Sequence, residues 1–367
     1  MKMIYEMQLF LLNLQNFMYY ADSEKISRLD TYIRESPDIV LVTHLHPDGD
    51  AVGSVTAMWE FLDKCRGRNA SILVPDEVPP TLEFLAGQYD ILNGGDEEAF
   101  RRIAGADLII ALDLNALRRA DILAEALGAS KARKVLIDHH PDPCKEEFDL
   151  VFSRTDVSSA CEMLFHVLSG MPGTSSGAAL PQGCAYSLMT GMTTDTNNFA
   201  NSVFPGTFAM ASTLISSGVD RDSIIQHIYN SGRKEKIKAW SYLLDRKLIM
   251  TDFGAAYIFL DRETRNKLGL LDGETDGLVN IPLQAADIRL SALLTEEEDH
   301  IRVSLRSKKG VSANDLARNH FHGGGHVLAS GGRILVPGDI MDSSTADVYF
   351  KETAARFLRD AEDTAKE

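Results

Sequence analysis

The chain has 367 residues, 44% of them hydrophobic and 25% charged, with a formal net charge of -16. That is globular composition, long enough for two domains or one large one. So acidic a balance argues against non-specific binding of long nucleic acid, which needs a broad basic surface.

The opening "MKMIYEMQLFLLNLQNFMYYADSEK" is apolar but broken by Glu6, Asn13, Gln15 and Asn16, with no small-x-small cleavage site before Ala21. It reads as an amphipathic helix or an overextended start, not a signal peptide. No other stretch approaches the ~18 apolar residues of a membrane span. The runs "DIVLVTH" (38–44), "SILVP" (71–75), "ADLIIALDLN" (106–115) and "RKVLIDHH" (133–140) have strand length. Helical segments separate them, among them "DAVGSVTAMWEFLDKC" (50–65) and "ALRRADILAEAL" (116–127). Apolar strands without period-two alternation, spaced by helices, predict an α/β domain: a parallel sheet with helices on both faces.

"SSACEMLFHVLSGM" (158–171) predicts a helix opened by a capping box of Ser159 and Glu162. "CAYSLMTGMTTDTNNFAN" (184–201) reads as a helix running into a polar loop that contains Asp195, and "GTFAMASTLISSG" (206–218) as a helix stopped by Gly218. Residues 221–246 form a polar helical connector. Beyond it, "AAYIFLD" (255–261), "DIRLSALLTEE" (287–297) and "HIRVSLRSK" (300–308) look like strands joined by short turns with few crossover helices, before a final helix at 345–363. The expected organisation is a catalytic domain over 25–220, the connector, and a smaller α+β domain over 247–360. The cysteines Cys65, Cys144, Cys161 and Cys184 form no C-x-x-C pair and read as reduced thiols in a cytoplasmic protein.

Three predicted strands end in polar clusters: "HLHPDGD" after the first, Asp113 after the third, and Asp138-His139-His140 after the fourth. Sites of open α/β sheets lie outside the carboxyl ends of the strands. Crowded carboxylates repel one another and resist desolvation unless a cation compensates. The best ligand set is His44, Asp48, Asp50, Asp113, His139 and Asp195, while His46, beside Pro47, is expected to shape its loop. Oxygen-rich ligands with imidazoles and no thiolate suit Mn²⁺, with Mg²⁺ or Co²⁺ as substitutes. Six ligands exceed the needs of one ion and fit two at ~3.5–4 Å, clamping an in-line phosphoryl displacement.

"THLHPDGDAVGS", "ALDLN", "IDHHPD", "GMTTDTNNF" and "GGGHVLASGG", in that order, resemble the motif series of the DHH phosphoesterases with a C-terminal DHH-associated domain. Within that family the chain is most similar to the nano-RNase/pAp phosphatases of NrnA type. The resemblance implies one metal on His44, Asp48 and Asp113, and a second on Asp50, Asp113, His139 and Asp195, with Asp113 bridging. It implies that Asp138 orients an imidazole, that His140 faces the substrate phosphate, and that these act with Asp113 and His139 in catalysis. Arg306, Gly323, Gly324, Gly325 and His326 would bind substrate. The sequence departs from the family pattern at His322, Asn197-Asn198 and Asn115, and none of these removes a ligand.

Consecutive glycines also let backbone N–H groups approach an anion. Between His300 and Arg333, Arg302, Arg306, Lys308, Lys309, Arg318 and Arg333 face a single acid, Asp315, in an otherwise acidic protein. That local inversion suggests a phosphate-bearing ligand. The implied activity is hydrolysis of very short oligoribonucleotides (nano-RNA) or 3′-phosphoadenosine 5′-phosphate (pAp) by a hydroxide that two metals activate. A cyclic-di-AMP or pApA phosphodiesterase is the alternative, then an inorganic pyrophosphatase or exopolyphosphatase. Expected partners are a small nucleotide or short oligoribonucleotide, with no long duplex nucleic acid and no membrane; a homodimer stays open.

Overall fold

The computed structural model describes residues 21–174, 179–271 and 273–364. The amphipathic segment expected over residues 1–20 lies outside them. No helix among the described residues is long and apolar enough to cross a membrane. The chain divides into two compact units between Ser231 and Gly232, inside the range expected for the connector. That range holds two helices, Arg221–Tyr229 and Lys234–Arg246, one in each unit.

In the first unit, helix α1 (Ser23–Glu35) leads into strand β1 (Ile39–Val42), then helix α2 (Gly49–Phe61). Strands β2 (Ala70–Val74) and β3 (Ile91–Asn93) precede helix α3 (Glu97–Gly105) and strand β4 (Leu108–Leu112). Strands β5 (Arg133–Asp138) and β6 (Leu150–Ser153) complete a parallel sheet of order β3-β2-β1-β4-β5-β6. Strands β1 and β4 are buried along their whole length, which explains their unbroken apolar sequence. Ile39, Leu41, Ile110 and Leu112 pack with Ile33, Met58 and Phe61 of α1 and α2. The intervening Val40, Val42, Ile109 and Ala111 pack with Ala99 and Ile103 of α3. The sheet is therefore covered on both faces, and its order reverses between β1 and β4, the position where α/β sheets place ligands.

Helix α4 (Ala160–Ser169) follows, then α5 (Gln182–Asp195), α6 (Pro205–Ser216) and α7 (Arg221–Tyr229). The expected capping box is only half made. The Ser159 hydroxyl accepts from the Glu162 N–H at 3.0 Å, but the Glu162 carboxylate turns to the Ser158 N–H (2.8 Å) and the Thr207 hydroxyl (2.7 Å), tying α4 to α6. Asp195 sits in the last turn of α5 instead of in a loop. The helix expected over 116–127 is a 3₁₀ segment, Leu117–Leu123, broken at Asp121 (φ 45°, ψ −116°), and then one short helix, Ala124–Ala129.

The second unit opens with helix α8 (Lys234–Arg246) and strands β7 (Leu248–Met250) and β8 (Ala255–Leu260). Helix α9 (Arg262–Leu268) and a 3₁₀ turn connect β8 to β9 (Leu290–Glu296), and this pair is parallel. The expected series of short turns is corrected there, because a parallel pair needs a crossover. Strand β10 (His300–Ser307) returns by a tight hairpin at Glu298-Asp299. Helix α10 (Ala313–His320) precedes β11 (Gly324–His326) and β12 (Ala329–Leu335), and helix α11 (Ala346–Thr364) is the last element among the described residues. The sheet order is β11-β12-β10-β9-β8-β7.

Candidate metal centre

Past β1 the chain lays down four polar side chains. His44 Nδ1 donates to the Leu45 carbonyl at 2.8 Å, and its Nε2 lies 3.3 Å from Asp113 Oδ2. His46 takes φ 55° and pairs with Asp76 at 2.6 Å, turned away from the cluster as a loop-shaping residue. Asp48 caps α2: one carboxylate oxygen accepts from the Asp50 and Ala51 N–H groups at 2.9 and 3.1 Å. Asp50 is buried, and its two oxygens accept from the Ala160 and Cys161 N–H groups at 2.6 and 3.0 Å, at the N-terminus of α4. The positive end of that helix offsets some of the cost of burying the charge. Helices α2 and α5 cross closely enough that a Cβ on Gly191 would lie 2.3 Å from Cys161 Sγ and 2.9 Å from Asp50 Oδ1. A glycine at position 191 thus makes room for Asp50, one turn before Asp195.

At the end of β4, Asp113 adopts φ 58°, a left-handed conformation that Asp tolerates better than most residues. The turn directs its carboxylate among histidines. Oδ1 lies 3.6 Å from His139 Nε2 and 3.5 Å from His140 Nδ1. At the end of β5, the buried Asp138 accepts from the His140 N–H at 3.0 Å and from its Nδ1 at 2.8 Å. The imidazole that Asp138 orients is therefore His140. Asn115 Nδ2 donates to the Pro141 carbonyl at 2.8 Å, joining the loops after β4 and β5.

His139 Nε2 faces three carboxylates from three elements: Asp113 at 3.6 Å, Asp195 at 3.7 Å and Asp50 at 3.8 Å. All three distances exceed a hydrogen bond and suit ligand atoms arranged about a shared ion. Ligand atoms of His44, Asp48 and Asp113 lie within 4.8 Å of one another, as do those of Asp50, Asp113 and His139, and those of Asp113, Asp138 and His140. Asp195 reaches the second group through His139. Asp113 belongs to all three groups.

The electrostatics match that arrangement. Burial favours neutral forms throughout, yet Asp113, Asp195 and Asp50 outweigh it at His139 and raise its pKa to about 10. Burial alone would raise the Asp113 carboxyl, but His139, His44 and His140 hold it well below the usual range. Burial and the Asp113 and Asp195 charges push Asp50 well above it. Burial lowers His140. Asp113 Oδ1 is buried and accepts no hydrogen bond from any described residue. An oxygen so placed is costly without a cation, and the oxygen-and-imidazole donor set fits a hard or borderline divalent metal.

Arg119 is a residue that sequence reasoning missed. Its Nη1 donates to His140 Nε2 at 3.2 Å, and its carbonyl accepts from the Leu45 N–H at 2.9 Å. "ALRRAD" carries no signal for it, because its place is held by that bond to the distant Leu45 loop.

In the second unit, Ala329 on β12 is paired with Arg306 on β10 and with His326 on β11. Directly opposed residues share a face of the sheet, so Arg306 and His326 stand on one face with a small side chain between them. The glycine run is a β-hairpin, not an open loop. A Cβ on Gly323 would lie 1.9 Å from the Gly331 carbonyl oxygen, and Gly325 has φ +146°. Gly324 lies beside Asn314 and Arg318. His322 adopts φ 47° and pairs with Asp339 at 3.0 Å.

Residues 38–192 match the model of the DHH family N-terminal domain, and residues 255–345 that of the DHHA1 domain. The chain is 30% identical over 335 residues to the bifunctional oligoribonuclease and PAP phosphatase NrnA of Bacillus subtilis, covering 90% of this chain and 95% of that protein. It is 29% identical over 308 residues to the probable NrnA of Streptococcus mutans, covering 82% and 90% respectively. Among solved structures, an exopolyphosphatase-related protein from Bacteroides fragilis superposes with a TM-score of 0.83 at 32% identity, covering 93% of this chain and 98% of that one.

Proposed function

Because this chain belongs to the DHH family, we propose that it is a metal-dependent phosphoesterase that hydrolyses very short oligoribonucleotides and pAp. The observation that supports this reading best is the approach of three carboxylates to His139 Nε2 at 3.6–3.8 Å, beside the unpaired Asp113 Oδ1. The relatives named as oligoribonuclease and PAP phosphatase support the substrate class.

On this reading His44, Asp48 and Asp113 hold one ion, Asp50, Asp113, His139 and Asp195 hold a second, and Mn²⁺ is the preferred metal. When bound, such ions neutralise the carboxylates and make hydroxide available near neutral pH for attack on phosphorus. The chain's own groups do the positioning. Asp138 fixes the His140 ring with Nδ1 protonated, and Nε2 accepts from Arg119 Nη1. The N-terminus of α4 holds Asp50 in place. Arg306 and His326 hold the substrate's phosphate and nucleoside end.

The test is a rate series on purified protein with Mn²⁺, using pAp, pApA, 2–5-mer RNA, a 24-mer, cyclic-di-AMP and pyrophosphate. The reading expects the fastest turnover on pAp and the di- to pentanucleotides. Processive degradation of the 24-mer with neglect of dimers would overturn it, and pyrophosphate as the best substrate would move the enzyme to another class.

A further inference from the structure

Arg119 carries a half-buried cation beside a centre built from carboxylates, yet no carboxylate among the described residues lies within ion-pair distance of it. Its one side-chain hydrogen bond there goes to the His140 ring. His140 Nδ1 donates to Asp138, so Nε2 is the acceptor that meets Arg119 Nη1 at 3.2 Å. The other guanidinium N–H groups find no acceptor among the described residues. A guanidinium presents a planar fork of five donors, and most of this one's are left for a ligand or solvent.

The backbone holds the residue in that position. The Arg119 carbonyl accepts from the Leu45 N–H at 2.9 Å, and the Arg119 N–H donates to the Ala116 carbonyl at 3.0 Å. The first bond stitches the segment after β4 to the loop that bears His44 and Asp48. The left-handed Asp121 then turns the chain, so residues 116–123 form no regular helix. Both bonds are made by main-chain atoms, so the position of the segment does not depend on the side chain.

We propose that Arg119 is a substrate-binding residue that clamps the anionic oxygens of the phosphoester beside His140. The inference rests on the phosphoesterase reading and deepens it by assigning to the phosphate site a guanidinium from the unit that carries the proposed metal ligands. A guanidinium suits tetrahedral phosphate oxygens because it can give two parallel N–H bonds at once.

The experiment compares Arg119→Ala, Arg119→Lys, His140→Ala and the Arg119→Ala/His140→Ala double variant with the wild-type chain. Mn²⁺ binding is followed by calorimetry with the metal alone. Activity is followed as kcat/KM on pApA, and anion affinity as binding of inorganic phosphate to the Mn²⁺-loaded protein. Both Arg119 variants should bind Mn²⁺ like the wild type. Arg119→Ala should lose about 10- to 100-fold in kcat/KM and bind phosphate more weakly, with Lys restoring only part. Millimolar guanidinium should recover part of the Ala variant's activity and do nothing for the wild type. The double variant should lose more than either single one.

Wild-type kcat/KM in Arg119→Ala overturns the proposal. So does metal loss that accounts for the defect, or a double variant no worse than His140→Ala alone, which would mean that Arg119 acts only through the imidazole. If the wild type hydrolyses no phosphoester, the functional reading fails by itself. The phosphate titration still decides the role of Arg119: equal affinity in wild type and Arg119→Ala refutes the clamp.

Discussion

The Nε2 atom of His139 lies 3.6 Å from Oδ1 of Asp113, beyond hydrogen-bond range, and that oxygen accepts no bond from any described residue. Because Asp113 is shared by the His44–Asp48, Asp50–His139 and Asp138–His140 groups, it is the position where one substitution does most damage. Asp113→Ala should abolish tight Mn²⁺ binding and lower kcat/KM at least about 10²–10³-fold, the scale on which removal of a stabilising group costs rate. Chelation should silence the wild type, and Mn²⁺ should restore it best. Calorimetry and a metal-replacement assay check both; full turnover by the variant or by metal-free protein would contradict the two-ion arrangement.

Protons and metal compete for the same imidazole. In the metal-free chain burial disfavours the charged His139, but Asp113, Asp195 and Asp50 raise its pKa to about 10. The sign follows from linkage. A raised histidine stabilises the metal-free fold fully below its unfolded pKa of about 6.5, and that contribution is lost as pH rises toward about 10. Metal binding must expel the proton, so apparent Mn²⁺ affinity should rise between about pH 6 and pH 9, with release of about one proton at His139. Titrations in two buffers of different ionisation enthalpy measure that release. A pH-independent affinity would mean that His139 does not ligate.

The strand ends were legible because a strand buried on both faces must be apolar throughout and can turn polar only where it leaves the sheet. That rule marked His44, Asp113 and Asp138 without any knowledge of their neighbours. Other features depend on contacts that a linear pattern does not record. Helix α5 ends in Thr193, Thr194 and Asp195, polar residues that read equally well as a loop, so nothing in "MTTDTNNF" says that Asp195 is still helical. The parallel pairing of β8 with β9 leaves no trace in their composition. Glycines disfavour strands in general, yet here Gly323 is needed where the hairpin backbone approaches Gly331 within a Cβ's radius. Arg119 is hidden most deeply, since a main-chain bond to Leu45, on a loop some seventy residues earlier, holds its segment in place.

The glycine at 191 links helix packing to the metal site. An added Cβ would meet Cys161 Sγ at 2.3 Å and Asp50 Oδ1 at 2.9 Å. The sulfur is fully buried and Asp50 is pinned by two backbone N–H groups, so neither can yield freely. Gly191→Ala should cost about 1–3 kcal/mol of stability by overpacking. It should also weaken Mn²⁺ binding, because Asp50 must move. Cys161→Ala in the same chain removes the closest clash and should recover part of the stability, but less of the metal affinity, since the Asp50 contact remains. Thermal melts and Mn²⁺ titrations of the single and double variants separate the two effects. Recovery of both to the same extent would place the defect in core packing alone.

Arg306 and His326 divide chemistry from substrate capture. They share a face of the second sheet, each registered against Ala329, and they belong to the unit that holds none of the proposed metal ligands. If they grip the nucleotide, Arg306→Ala and His326→Ala should leave Mn²⁺ binding intact and lower kcat/KM on pAp. A charge-assisted contact to phosphate contributes about 1.5–3 kcal/mol, so each loss should be about 10- to 100-fold. Arg306→Lys should recover only part, because a point charge cannot reproduce a planar fork. Binding energy from a remote part of the substrate is felt only when that part is present. Bis-p-nitrophenyl phosphate lacks it, so that ester should suffer much less from either substitution. A third variant, Ala329→Leu, fills the gap between the two side chains without touching a charge, and should raise KM for pAp while sparing the small ester. Equal losses on both substrates, or loss of Mn²⁺ in any of the three, would show that this face supports the fold and does not select the ligand.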